Sequence, residues 1–401
     1  MSETNPSCLN VEGWRASTPR ELAEFLKLRE PEEERPVRHV LAVRTHLKPV
    51  DVYTYLRARF GQPNGFQNFL RRDDSDNLVH WDFNLKTDNG ETDVYISGTS
   101  REVHILVTEK LTDHQWQDLI YAIRDDYRRV RKEKSAILRS LEKYVVFQNK
   151  FASLAAQCAE LHESILETES YSWPDIRITD DNREEYEKAL QAVSHRAGKL
   201  YGKCLTLRLL TPIMAEAYIN MLILLFCKNE IRDDDARYKD FLRSRIPERL
   251  RRLSEYCDGF KRAIDTSTSA YSKFMGIINQ RNFALHGNVD PIREAIEVVY
   301  FEGRRPIFVN PGNHIEKFNQ HLEQIHNPTG VVADYEEVHL FLVEISDCLT
   351  SRHRRFFEQV ISDSYPGYEV RKKRATRILP DHLVMGMMQG IRYDDYLDVV
   401  W

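Results

Sequence analysis

The chain has 401 residues, a net charge of −5, 42% hydrophobic and 30% charged residues. That length and apolar content exclude wholesale disorder and are enough for two or three domains with real cores. Lys and Arg are nearly balanced by Asp and Glu, which excludes a bulk polycation, so any nucleic-acid contact has to come from local basic patches.

In chain order, residues 1–35 read as a polar N-terminal arm with one short helix near 19–27, ending in Glu32-Glu33-Glu34 before Pro36. The pattern then changes. Residues 40–43 read as a strand and 50–60 as a helix, and 78–85 alternates Val79, Trp81, Phe83 and Leu85 on one face. Asp88-Asn89-Gly90 is a hairpin turn, and strands are expected at 92–96 and 102–107. Residues 36–135 are therefore expected as a small α+β domain, an antiparallel sheet covered by helices.

Thr112 and Gln115 make a capping box that opens a stretch free of Gly and Pro, reaching about Glu167 as one long helix or two. Residues 136–365 are expected as a helical domain, to which the later part of that stretch, with Val145, Val146, Phe151 and Leu154, belongs. Its helices are expected at 182–203, at 212–227 with Pro212 in first position, and at 235–256 with a restart at Pro247. The second of these, apolar almost all round from Ala215, is the centre of a bundle. A hairpin is inserted at 296–309 around Glu302-Gly303-Arg304-Arg305, and helices at 314–325 and 334–362 complete the domain. Residues 366–401 read as a docking tail with a basic run at 371–374, an apolar patch at 383–388 and the end Tyr393-Asp394-Asp395-Tyr396.

The most informative segment is Arg281-Asn282-Phe283-Ala284-Leu285-His286-Gly287. It ends a helix whose apolar face is Tyr271, Phe274, Met275, Ile278 and Leu285, preceded by the cap-rich run Asp265-Thr266-Ser267-Thr268-Ser269. Asn282 and His286 continue that stripe, and an amide and an imidazole on an apolar face need polar partners. Gly287 is a left-handed stop. Arg377 and His382 share the interval, but Pro380 lies between them.

The segment resembles the Arg-polar-xxx-His motif of the HEPN superfamily, all-helical domains common in prokaryotic defence and toxin systems. The fold class is thus expected as mainly α, a C-terminal HEPN-like helical bundle with a small N-terminal α+β domain. The resemblance implies a metal-independent endoribonuclease, with no cofactor, whose catalytic residues are Arg281, Asn282 and His286. It also implies a homodimer, because in that family two protomers meet to make one composite site. The partners implied are RNA, as tRNA or mRNA, and an antitoxin or trigger protein. The competing expectation is a non-catalytic protein whose bundle dimerises or binds a nucleotide, with His286 only capping the helix end and Arg281 solvated.

The chemistry suits the residues. RNA is cleaved when its own 2′-OH attacks the adjacent phosphate, which needs a base, an acid and stabilisation of a crowded anion. Histidine titrates near neutrality and arginine presents a planar fork of donors to phosphate. Arg304 and Arg305 at the hairpin tip, and Arg352, Arg354 and Arg355 on a helix, are candidate RNA contacts, although charge runs are more often solvated faces. The same holds for Arg128, Arg129 and Arg131. Asp233-Asp234-Asp235 reads as a cap rather than a metal site. His195, His321 and His326 lack partners at catalytic spacing, and Trp81 and Phe83 alternate as core residues do.

The six cysteines, Cys8, Cys158, Cys204, Cys227, Cys257 and Cys348, form no CxxC or Cys/His pair at metal spacing, which points to buried thiols in a reducing compartment. The polar start and the shortness of the apolar run 221–227 give the expectation of a cytoplasmic protein with no membrane partner.

Overall fold

A computed structural model of the chain describes residues 6–26, 37–67, 78–168, 181–287, 289–292, 295–312, 314–378 and 391–401. It divides into two compact units, Met1–Tyr144 with Ile378–Trp401, and Val145–Arg377.

In the first unit, β1 (Arg15–Ala16), α1 (Pro19–Leu26), β2 (His39–Val43), α2 (Pro49–Phe60), β3 (Trp81–Lys86), β4 (Asp93–Gly98) and β5 (Val103–Val107) precede α3 (Asp113–Asp126) and α4 (Arg131–Ser140). Among the described residues the strands form one antiparallel sheet in the order β1-β3-β4-β5-β2. Strand alternation sends Phe83, Leu85, Val94, Ile96, Val103, Ile105 and Val107 to one face. All are fully buried, in one cluster with Val52, Tyr55 and Leu56 of α2 and Leu119, Ile120 and Ile123 of α3. The Thr112–Gln115 capping box that starts α3 is formed in both directions.

Two expectations for this unit change. The N-terminal segment is no peripheral arm, since Cys8, Val11 and Trp14 are part of the core. Glu109 holds that segment by accepting from the Ser7 amide (3.1 Å) and hydroxyl (2.8 Å) and from the Cys8 amide (3.1 Å). The tail, for its part, is divided. Residues 367–377 belong to the second unit, whereas Arg392–Trp401 completes the first, with the Ala42 amide donating to the Arg392 carbonyl at 2.9 Å. Fully buried Asp394 accepts from the backbone amides of Arg44 (3.0 Å), Thr45 (3.2 Å) and His46 (3.2 Å), from the Thr45 hydroxyl, and lies 2.8 Å from His46 Nδ1. The apolar patch 383–388 lies outside the described residues, as does His382.

The second unit runs β6 (Tyr144–Val146), α5 (Lys150–Leu166), α6 (Arg183–Phe226), α7 (Asn229–Arg232), α8 (Asp235–Arg243), α9 (Ile246–Tyr256), α10 (Ser269–Leu285), β7 (Val299–Glu302), β8 (Arg305–Phe308), α11 (His314–His326), α12 (Pro328–Asp347), α13 (Ser351–Ile361), β9 (Gly367–Glu369) and β10 (Arg374–Thr376). Its core gathers Met214, Ile219, Leu222 and Ile223 of α6 with Phe241, Leu253, Phe274, Val338, Phe341 and Phe357. The unit boundary falls at 144/145 rather than near 135 because the expected long helix is interrupted there. Tyr144, Val145 and Val146 have strand-forming side chains, and they join a sheet of order β10-β9-β6 instead of the helical core. All three are exposed.

Pro212 does not open a helix, since α6 is one 44-residue helix that carries it inside. The Thr211 hydroxyl donates to the Leu207 carbonyl at 2.8 Å, and Thr211 and Pro212 are both buried, so packing holds a helix that local propensity would break. This helix is long and apolar enough to cross a membrane, but 56% of its most apolar window is buried, as a bundle's central helix should be. The expected helix at 334–362 is two, α12 and α13. The break is made by Thr350, whose amide donates to the Gly259 carbonyl at 2.8 Å. Gly259 has φ +88° and lies so close to the His353 ring that a Cβ would sit 2.4 Å from it, so this turn requires glycine.

Candidate functional site

α10 carries the motif. Its N-cap Thr268 accepts from the Tyr271 amide at 3.1 Å. Phe274, Ile277 and Ile278 are buried, and Phe274 stacks on Phe341 of α12 with ring centres 4.6 Å apart. The apolar face stops there. Leu285, expected to continue it, is half exposed.

The last turn and a half presents the three motif residues differently. His286 is the C-cap, with its amide donating to the Asn282 carbonyl at 3.1 Å, and it is exposed. Gly287 follows at φ +60°, the left-handed stop. Asn282 is half-buried. Arg281 turns inward, its side chain only 15% exposed and its Nη2 3.6 Å from Glu216 Oε2 on α6. Five residues of helix place Arg281 about 140° round from His286, which accounts for one facing the protein and the other solvent.

Glu216 has a second cation. Arg249 of α9, 5% exposed, pairs with the other Glu216 oxygen and donates to Asn220 Oδ1 at 2.7 Å. Two guanidinium groups thus share one carboxylate, an excess of positive charge in a semi-buried place. The Nε atoms of both Arg281 and Arg249 are buried with no hydrogen-bond partner among the described residues. Glu216 and Asn220, one helical turn apart, also line a cavity of about 520 Å³ whose walls include Phe147, Leu154, Ile213 and Tyr238.

Sequence reasoning missed Glu216 and Arg249. A signal existed for Glu216, the one carboxylate inside the otherwise apolar run after Ala215. A charge on an all-round apolar helix asks for a partner, but nothing local tells which.

The arginines expected to touch RNA are dispersed. Arg304 and Arg305 are exposed at the hairpin between β7 and β8, where Gly303 has φ +65°. Arg352 and Arg355 are exposed on α13. Arg354, between Asp347 and Glu358 (2.8 Å), is already neutralised by two carboxylates. Among the described residues no hydrogen bond or ion pair joins any of the five to Arg281, Asn282 or His286. Asp234 caps α8 by accepting from the Ala236 (3.1 Å) and Arg237 (3.0 Å) amides, and Asp233 pairs with Lys373 at 3.0 Å. His195 is exposed, and His326 stacks on Tyr201 at 4.3 Å.

No family model, curated protein or solved structure matches this chain.

Proposed function

We propose that the second unit is a HEPN-like helical bundle acting as a metal-independent endoribonuclease, in which each protomer of a homodimer offers its arginine to the histidine of the other. The observation that carries the reading is the placement of the motif at the end of α10, where Arg281 is held by Glu216 and His286 stands exposed at the C-cap. The angle between the two side chains makes one helix a poor site and two opposed helix ends a better one. Half-exposed Leu285, one residue before His286, supplies apolar surface for such a contact.

In the reaction, the 2′-OH attacks the adjacent phosphorus. The P–O2′ bond forms, the P–O5′ bond breaks, and the products are a 2′,3′-cyclic phosphate and a 5′-hydroxyl. His286 would relay the proton from O2′ toward the departing O5′, Arg281 would neutralise the phosphorane, and Asn282 would orient the imidazole or a ribose hydroxyl. The setting is antiviral defence or toxin-like growth arrest in the cytoplasm, with tRNA or mRNA as substrate and the first unit receiving the trigger.

The test is incubation of total RNA with the full chain in the presence of a chelator. Wild type should produce 2′,3′-cyclic phosphate ends, and His286→Ala and Arg281→Ala should each lower cleavage by at least about a hundredfold, as loss of a proton-transfer group or of a cation that stabilises the transition state does. Cleavage by both variants at the wild-type rate contradicts the proposal. A second reading, a non-catalytic bundle, is favoured by the low exposure of Arg281, which suits a structural cation. Under that reading the chain leaves RNA intact, and Arg281→Ala lowers only stability.

A further inference from the structure

The end of α6 and the end of α9 meet in an antiparallel bridge that sets Cys227 opposite Cys257. Both cysteines are helix C-caps, and both are buried. The Lys228 amide donates to the Tyr256 carbonyl at 2.9 Å, and the Asp258 amide donates to the Phe226 carbonyl at 2.8 Å. Hydrogen bonds on the flanking residues, rather than between the cysteines, define the closer kind of antiparallel pair, whose Cα atoms lie about 4.5 Å apart with side chains on one face. A disulfide spans Cα separations of roughly 4.4–6.8 Å, so the backbone already holds these two sulfurs at bonding range. Among the described residues no other bridge or strand pair sets two cysteines opposite each other.

The two thiols differ in character. A hydrogen bond from the Cys257 thiol holds Cys227 below the ordinary thiol value, against its burial and with help from the charge of Arg232. That arginine is buried and directs its donors to the carbonyls of Leu224 (2.8 Å) and Lys373, and among the described residues no carboxylate neutralises it. The same thiol–thiol hydrogen bond, together with burial, pushes Cys257 up. Burial likewise pushes up Cys8, Cys158, Cys204 and Cys348. The thiolate is the nucleophile in sulfur chemistry, so Cys227 is the member set to react and Cys257 the one set to resolve the product.

We infer that Cys227 and Cys257 form a reversible modification site, a dithiol that a hydroperoxide converts to a disulfide. The Cys227 thiolate attacks a peroxide oxygen. The S–O bond forms, the O–O bond breaks, and the departing hydroxide takes up the proton that Cys227 released. Cys257 then attacks the sulfenic sulfur of Cys227, so that the S–S bond forms, the S–O bond breaks, and water leaves with the Cys257 proton. Two thiols lose two electrons, and hydrogen peroxide is reduced to two waters. Exposures of 5% for Cys227 and 2% for Cys257 select a small hydroperoxide over a protein disulfide as the oxidant. The bond closes the loop that holds α7, α8 and α9, and it ties together the ends of the two helices that carry Glu216 and Arg249. This site goes beyond the proposed ribonuclease activity and stands without it.

The test uses reduced full-length protein, treated with hydrogen peroxide, quenched in acid, unfolded with iodoacetamide present and digested for mass spectrometry. A Cys227–Cys257 cross-linked peptide should appear and be reversed by dithiothreitol, with the other four cysteines alkylated. The oxidised protein should melt at least about 4 °C above the reduced one, since the bond restricts the unfolded chain. In Cys257→Ala, Cys227 should stop at the sulfenic acid and be trapped by dimedone, whereas in Cys227→Ala, Cys257 should stay a thiol. Wild type alone decides the matter if either variant fails to fold. Cys227 and Cys257 both alkylated after peroxide, either one linked to another cysteine or to a second copy of the chain, or an oxidised form that melts no higher than the reduced one, overturns the assignment.

Discussion

The two units use half-buried or buried carboxylates for opposite purposes. In the first, Glu109 and Asp394 accept backbone amides from segments far away in sequence and so fasten both ends of the chain to the sheet. In the second, Glu216 accepts no backbone donor among the described residues and instead holds two guanidinium groups at the end of the motif helix. A carboxylate saturated by amides is a structural knot, with its charge already dispersed. One shared by two arginines keeps a surplus of positive charge close to the surface, the condition for receiving an anion.

Substitutions rank the three. Asp394→Ala should cost most, about 3 kcal/mol in urea unfolding of the first unit, because several buried donors lose their acceptor together. An effect near zero would mean the tail's attachment rests on the Ala42–Arg392 hydrogen bond and on the stacking of Trp401 against His46 (3.7 Å between ring centres) instead. Glu216→Ala should cost about 2 kcal/mol, since Arg249 stays buried without its partner while the carboxylate itself is a third exposed. It should also lower RNA cleavage less than Arg281→Ala does. Glu109→Gln should cost about 1 kcal/mol, as the amide oxygen still accepts from the N-terminal segment.

Acid sharpens the same contrast. Burial alone would raise both Glu109 and Asp394, but the hydrogen bonds from Cys8 and Ser7, and from Arg44, Thr45 and His46, outweigh it and hold both below the usual range, Glu109 at about 2. A folded pKa below the unfolded one gives stability that is complete above the unfolded value and lost as pH falls through the folded one. The first unit should thus lose stability between about pH 4.5 and pH 2, and Glu109→Gln with Asp394→Asn should flatten that slope. An unchanged acid slope in the double variant would remove these two groups from the account.

The same division governs what the sequence discloses. Features decided within a few residues are legible, among them the Thr112–Gln115 capping box, the strand alternation through Phe83 and Leu85, and the glycine stop at Gly287. Features decided by distant partners are not. Pro212 continues a helix because both of its neighbouring turns are packed, and Tyr144–Val146 leaves the helical register because a strand more than two hundred residues later pairs with it. The motif stands out in the sequence for the first reason, while the Glu216–Arg249 pair that positions its arginine stays hidden for the second.

The central claim, that two protomers pool one guanidinium and one imidazole, is tested by mixing. Arg281→Ala and His286→Ala proteins, each assayed alone and then together after subunit exchange, are given total RNA with a chelator present. In a mixed dimer one of the two arginine–histidine pairs of the composite site keeps both members intact, so the mixture should regain cleavage with 2′,3′-cyclic phosphate ends that neither protein gives alone. A mixture as inactive as its parents, beside an active wild type, would contradict the shared site.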